Sequence, residues 1–284
     1  MRVSRAAAAC VWMMAACAAA LALAAPQSSP PLPDAHQLMR EAMEHQRKVD
    51  KVRENYTYSS LQTTQDVDAS GKVVKTETEE TEVFFVNTHA VERVVKKNGQ
   101  PLSDHDQQKE TERVTKLVEK AQKTPPGQSP TGDTVSISKL LEVMDVSAPR
   151  RENYRGRPAI VFDFAGRKDA KTHGLEEDAS KKLKGTIWID EADREVAHVD
   201  ATFTDNFHVG GGLLANIEKG TSFHFDQEPM SEGLWLPTGA EGLVTARVLL
   251  FKNMRKHITE KDWNYKRFQV EAKQGTDAKA AGKP

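Results

Sequence analysis

The chain is nearly free of cysteine: two among 284 residues, Cys10 and Cys17. Both fall in an N-terminal stretch that reads as a secretory leader, so the processed chain is expected to carry none. That excludes disulfide scaffolds, cysteine nucleophiles and thiolate metal sites. Aromatic residues make up only 6% of the chain, and they form no cluster resembling a sugar platform. Basic charge is not in excess. Without Arg2 and Arg5, 38 basic residues face 41 acidic ones, so no nucleic-acid partner is expected. Several catalytic signatures are missing as well. There is no H-E-x-x-H, no Walker-type G-x-x-x-x-G-K-[ST] and no G-x-G-x-x-G on a strand-to-helix turn. Gly127-Gln128-Ser129-Pro130-Thr131 starts like a nucleophile elbow, but Thr131 stands where the second glycine belongs. Gly210-Gly211-Gly212 lacks a lysine to neutralise a phosphate and reads as a connection between strands.

The first segment has Arg2 and Arg5 ahead of an apolar run from Ala6 to Ala25, with Ala22-Leu23-Ala24 as a cleavage pattern. Residues 1–24 are therefore expected to be a signal peptide, leaving 260 residues for export to the periplasm or cell envelope. A second reading stays open: Met14-Ala15-Ala16-Cys17 loosely matches a lipoprotein box, which would acylate Cys17 and anchor the protein. The Pro- and Ser-rich residues 25–33 are a linker, 34–270 the folded domain, and 271–284 a tail without core-forming content.

Within the domain, Asp34 is placed to cap a helix whose stripe is Leu38, Ala42, Val49 and Val52. From Asn55 the period changes to two, and long strands follow, punctuated by Asp68-Ala69-Ser70-Gly71, Asn87-Thr88-His89 and Lys97-Asn98-Gly99. Ser103 begins a second helix with Val114, Leu117, Val118 and Ala121 on one side, and Ile137, Leu140, Leu141 and Met144 pattern a short third one. Strands resume at Pro158–Phe164, separated by a charged loop at 167–182 from Lys184–Asp190, Val196–Asn206, Thr221–Gln227, Leu234–Pro237, Leu243–Lys252 and His257–Phe268. About ten antiparallel strands do not stay flat. The expected class is α+β, mainly antiparallel β: a half-open curled sheet, an incomplete barrel, with capping helices.

Two sets of strand residues are candidates for function. Phe84, Phe162, Phe164, Ile187, Ile189, Phe203, Phe223, Phe225, Val248 and Leu250 are apolar strand residues suited to the concave side. They line a ligand cavity or pack a core; both need the same pattern. His198 and Asp200 share one strand face, as do His224 and Asp226, with Phe223 and Phe225 on the reverse. If those strands were neighbours, two imidazoles and two carboxylates would meet at spacing fit for a divalent metal. Alternation alone makes them a solvent face, so no metal, cofactor or catalytic residue is expected.

The strand Gly185-Thr186-Ile187-Trp188-Ile189-Asp190, its Glu191–Glu195 turn, the return strand Val196–Phe203 and the segment Glu232-Gly233-Leu234-Trp235-Leu236-Pro237 resemble the outer-membrane lipoprotein-sorting (LolA/RseB-like) superfamily. The likeness is best over residues 145–268 and weaker over 34–100. It implies a half-open barrel closed by helices over an apolar cavity, a lipid or acylated protein as ligand, and no catalysis. The helix at 103–122 and the loop at 167–182 set this chain apart from a minimal carrier. The leading expectation is a carrier or sensor of lipid or lipoprotein acyl chains. An envelope protein-interaction module with a filled core is the alternative. A metal-dependent hydrolase using His198, Asp200, His224 and Asp226 is the remote one.

Overall fold

The computed structural model describes residues 31–125, 143–172, 174–212, 214–230, 234–249 and 252–267. The expected leader with Cys17, most of the linker, residues 137–142 of the third helix, Glu232-Gly233, Leu250 and the tail lie outside the described residues.

Helix α1 spans Ala35–Arg53 and starts where Asp34 accepts a hydrogen bond from the Gln37 amide at 2.8 Å. Four long segments follow: β1 (Tyr56–Val67), β2 (Val73–Val86), β3 (His89–Lys97) and the short β4 (Gln100–Pro101). Their turns are chemically specified. Asn98 and Gly99 both take positive φ, the pairing that a two-residue hairpin turn requires. Helix α2 (Asp104–Lys123) begins at Ser103, whose hydroxyl accepts from the Asp106 amide. Strands β5 (Met144–Tyr154), β6 (Arg157–Gly166), β7 (Leu183–Asp190) and β8 (Val196–Phe203) come next, with a six-residue helix α3 (Leu175–Ser180) inserted between β6 and β7. Then follow β9 (Phe207–Val209), a 3₁₀ turn at Gly210–Gly212, β10 (Ala215–Ile217), β11 (Ser222–Pro229), β12 (Trp235–Val248) and β13 (Lys252–Arg267).

All strands join one antiparallel sheet ordered β4-β3-β2-β1-β13-β12-β11-β8-β7-β6-β5, with β9 and β10 attached beside β12. It stays open, since β4 and β5 are edges. One rung, Gln62–Glu260–Ala240–Phe225–Val199–Ile187–Phe162, runs from β1 to β6 and defines the inner face. Leu38, Met39 and Ala42 of α1 pack on that face with Ile160, Phe162, Ile187 and Ile189. Helix α2 lies against β2 and β3 on the reverse face, where Ala121 and Val91 are fully buried.

Three sequence expectations are corrected. Met144 opens a strand and does not close a helix, and β5 continues to Tyr154, ahead of the expected start at Pro158. Its charges masked it: Arg150, Arg151, Glu152 and Asn153 stand where an edge strand tolerates polar side chains. The segment expected as a loop at 167–182 holds the helix α3, and Ala170 and Ser180 are buried. Leu234–Pro237 and Leu243 onward are one strand, β12, because Pro237 sits opposite Gln227 where the register shifts and a missing amide is tolerated.

Candidate functional site

The inner face collects most of the expected lining residues. Phe162, Phe164, Ile187, Ile189 and Phe203 belong to the buried core, and Phe223 and Phe225 pack against it half-buried. Phe162, Ile187 and Ile189 have no solvent exposure. The shell beneath α1 is thus filled by side chains. Val248 shares this face but lies at the β10 end, opposite Ala215. Phe84 does not join the group. It pairs with Val91, on the face covered by α2, because Val83 takes the inward position next to Tyr58. Leu250 lies outside the described residues.

The roof is thinly held. Only Leu38, Met39, Ala42 and Val49 are its buried apolar residues. Between α1 and the sheet sits a buried amide pair, Gln46 and Gln227. Gln227 Nε2 donates to Gln46 Oε1 at 3.0 Å and to the Val196 carbonyl at 2.8 Å, and Gln46 Nε2 donates back at 3.3 Å. Sequence reading missed this pair, since a glutamine at a β-bulge carries no apolar signal.

Beyond the end of α1 the inner face changes character. Tyr58 and Tyr265 stack with centroids 4.8 Å apart. Beside them, burial and the neighbouring Asp262 and Glu92 raise the Glu260 carboxyl to about 7. Burial also raises Asp262 to about 6, against the opposing effects of Ser60 and Arg53. Farther along the same strands, Gln62, Thr64, Glu77, Glu79, Lys97 and Lys256 line a polar pocket of about 260 Å³.

Another pocket, of about 330 Å³, opens at the β5–β6 turn, between Tyr154, Arg155, Arg157, Asp190, Gln227 and Trp235. The Asp190 of the Gly185–Asp190 motif organises its floor. Its carboxylate accepts from the Ala192 and Asp193 amides at 3.0 and 2.8 Å and from Arg157 Nε at 2.5 Å. Burial works against ionisation, but Arg157 and these amides outweigh it and hold the carboxyl below the usual range. The glycine of that motif is equally specific: a Cβ on Gly185 would meet the Asp200 carbonyl oxygen and the Phe164 ring.

On the outer face the histidine–aspartate pairs do meet. β8 and β11 are neighbours, with Asp200 opposite His224 and His198 opposite Asp226. His198 Nδ1 lies 2.9 Å from Asp226 and its Nε2 3.0 Å from Asp200. His224 Nδ1 contacts the same Asp200 oxygen. Tyr154 donates to Asp226 at 2.5 Å, and Arg155 pairs with it at 3.3 Å. Burial opposes protonation of His198, yet Asp226 and Asp200 hold its imidazole above the ordinary value. The rings of Tyr154 and His198 stack, as do those of His198 and His224, and Trp188 tilts against His198. Tyr154 and Arg155 were missed with β5. Arg155-Gly156, both at positive φ, are the hairpin signal that finds them.

No family model matches the chain, and no curated protein matches it. Solved structures similar to it include one described as an outer membrane lipoprotein-sorting protein domain from Vibrio parahaemolyticus. It is 10% identical, with 83% of this chain and 95% of that chain covered and a TM-score of 0.37. A DUF1329 family protein from Desulfovibrio piger is 12% identical over 82% and 94% of the two chains, with a TM-score of 0.35. The MucA/MucB complex of Pseudomonas aeruginosa has a chain 10% identical over 81% and 100%, with a TM-score of 0.25.

Proposed function

We propose that this chain is an exported, non-catalytic protein of the bacterial cell envelope that binds a lipid or the acyl chain of a lipoprotein, with α1 as a movable roof. The observation that carries this reading is the continuous apolar face on β6, β7, β8 and β11 under a single amphipathic helix. Magnitudes make the exchange workable. An acyl chain of about twelve methylenes gains roughly 10 kcal/mol on burial at about 0.8 kcal/mol each. Uncovering the buried side chains of α1 costs about 1.5–3 kcal/mol for each Leu, Met or Val and less for Ala, roughly 5–10 kcal/mol together. The two nearly balance, so a ligand lifts the roof and is released again.

The filled shell favours a second reading, an envelope protein-interaction module. Here the inner face beyond α1, around Tyr58, Tyr265 and the charged strand ends, receives a polypeptide. Mass spectrometry of an organic extract distinguishes the two, using protein expressed with its own leader and purified without detergent. Stoichiometric phospholipid or fatty acid supports the acyl reading. A clean extract from folded protein sinks it and leaves the interaction module.

A further inference from the structure

We propose that the outer face binds a divalent ion of the zinc class through His198, Asp200 and His224, at a site independent of the acyl reading. One ligand atom from each lies within 4.8 Å of the others. Two imidazoles and one carboxylate are a nitrogen-rich set, which selects zinc-like ions over magnesium or calcium. All three residues come from the middle of paired strands, so the ladder fixes their backbones.

The surroundings are those of a supported metal site, beyond a chance gathering of charges. A ligating imidazole is normally oriented by a carboxylate on its other nitrogen. His198 has that partner: with Nε2 turned toward Asp200 and His224, its Nδ1 lies 2.9 Å from Asp226. Asp226 is itself fixed by the Tyr154 hydroxyl at 2.5 Å and by Arg155 at 3.3 Å. The stacked ring of Tyr154 and the tilted ring of Trp188 hold the imidazole plane. His198 is 13% exposed and His224 44%, so the fourth position of a tetrahedral ion opens to solvent and takes water. The ion ties β8 to β11, strands separated in sequence by β9 and β10.

The test is calorimetric titration of zinc into the chelator-treated processed chain, with the visible spectrum of the cobalt form and the thermal midpoint as further readouts. One ion per chain, a tetrahedral cobalt spectrum and a raised midpoint are expected. His224→Ala should weaken binding at least 100-fold, and Asp226→Asn, which touches no ion, by about 10–100-fold. His257→Ala, at the neighbouring His257–Glu241 pair, should leave it unchanged. His224 is exposed, so its variant folds, as far-UV circular dichroism of the sample will show. No binding by the wild-type chain at submillimolar zinc, or binding that His224→Ala does not weaken, overturns the proposal.

Discussion

On β6, β7, β8 and β11 the residues Phe162, Ile187, Val199 and Phe225 face α1, while their neighbours Asp163, Thr186, Asp200 and His224 face the other way. The strands and the ladder are common to both sets. In the inner set Phe162, Ile187 and Val199 are buried and Phe225 is half-buried, and these residues act through packing, where every methylene is felt. The outer set keeps water within reach, so its imidazole and carboxylates remain available to ions. One period-2 pattern thus supplies a stabilising surface and a chemical one, and the two should respond to substitution very differently.

The largest contrast is expected from Phe162→Ala. It removes a fully buried ring and should lower stability by about 3–5 kcal/mol in urea denaturation. Next comes the buried amide pair. Gln227→Ala strands the Gln46 side chain and the Val196 carbonyl and should cost about 1–3 kcal/mol, whereas Gln46→Leu combined with Gln227→Leu should recover part of it.

A third test concerns pH. In the folded chain Glu260 and Asp262 are raised to about 7 and about 6, while the unfolded chain releases these protons at ordinary carboxylate values near pH 4. Between those limits the folded state holds protons that the unfolded state has lost. Stability therefore falls as pH rises from about 4 to 7 and levels off above. Thermal melts between pH 8 and 5 should show the midpoint rising on acidification, and Glu260→Gln should flatten its share. The smallest effect belongs to the outer face: with metal removed, His224→Ala should change stability by less than about 0.5 kcal/mol. A larger loss there would erase the contrast between the faces.

Much of this was legible in the sequence, for physical reasons. Asp34 and Ser103 cap helices because short polar side chains reach the free amides of a first turn. Phe223 and Phe225 opposite His224 and Asp226 announced which way β11 faces. Adjacency of β8 and β11 was conditional, because it depends on β9 and β10 looping aside, β10 to pair with β12 and β9 with β10. Phe84 was placed inward because Phe84-Phe85 offers two apolar phases, and only pairing with β1 decides between them. Tyr154 and Arg155 were hidden by a polar edge strand. Whether the apolar face holds a core or a cavity has no sequence signature, since filling is set by where α1 lands.

The most direct test of the roof is a titration with two peptides of one sequence, one carrying an N-terminal acyl chain, read by fluorescence anisotropy alongside amide exchange in α1. The account predicts that the acylated peptide binds at least about 100-fold tighter, a difference of roughly 2.7 kcal/mol, and that exchange across 35–53 accelerates as it binds. Equal affinities with unchanged protection of α1 would contradict it.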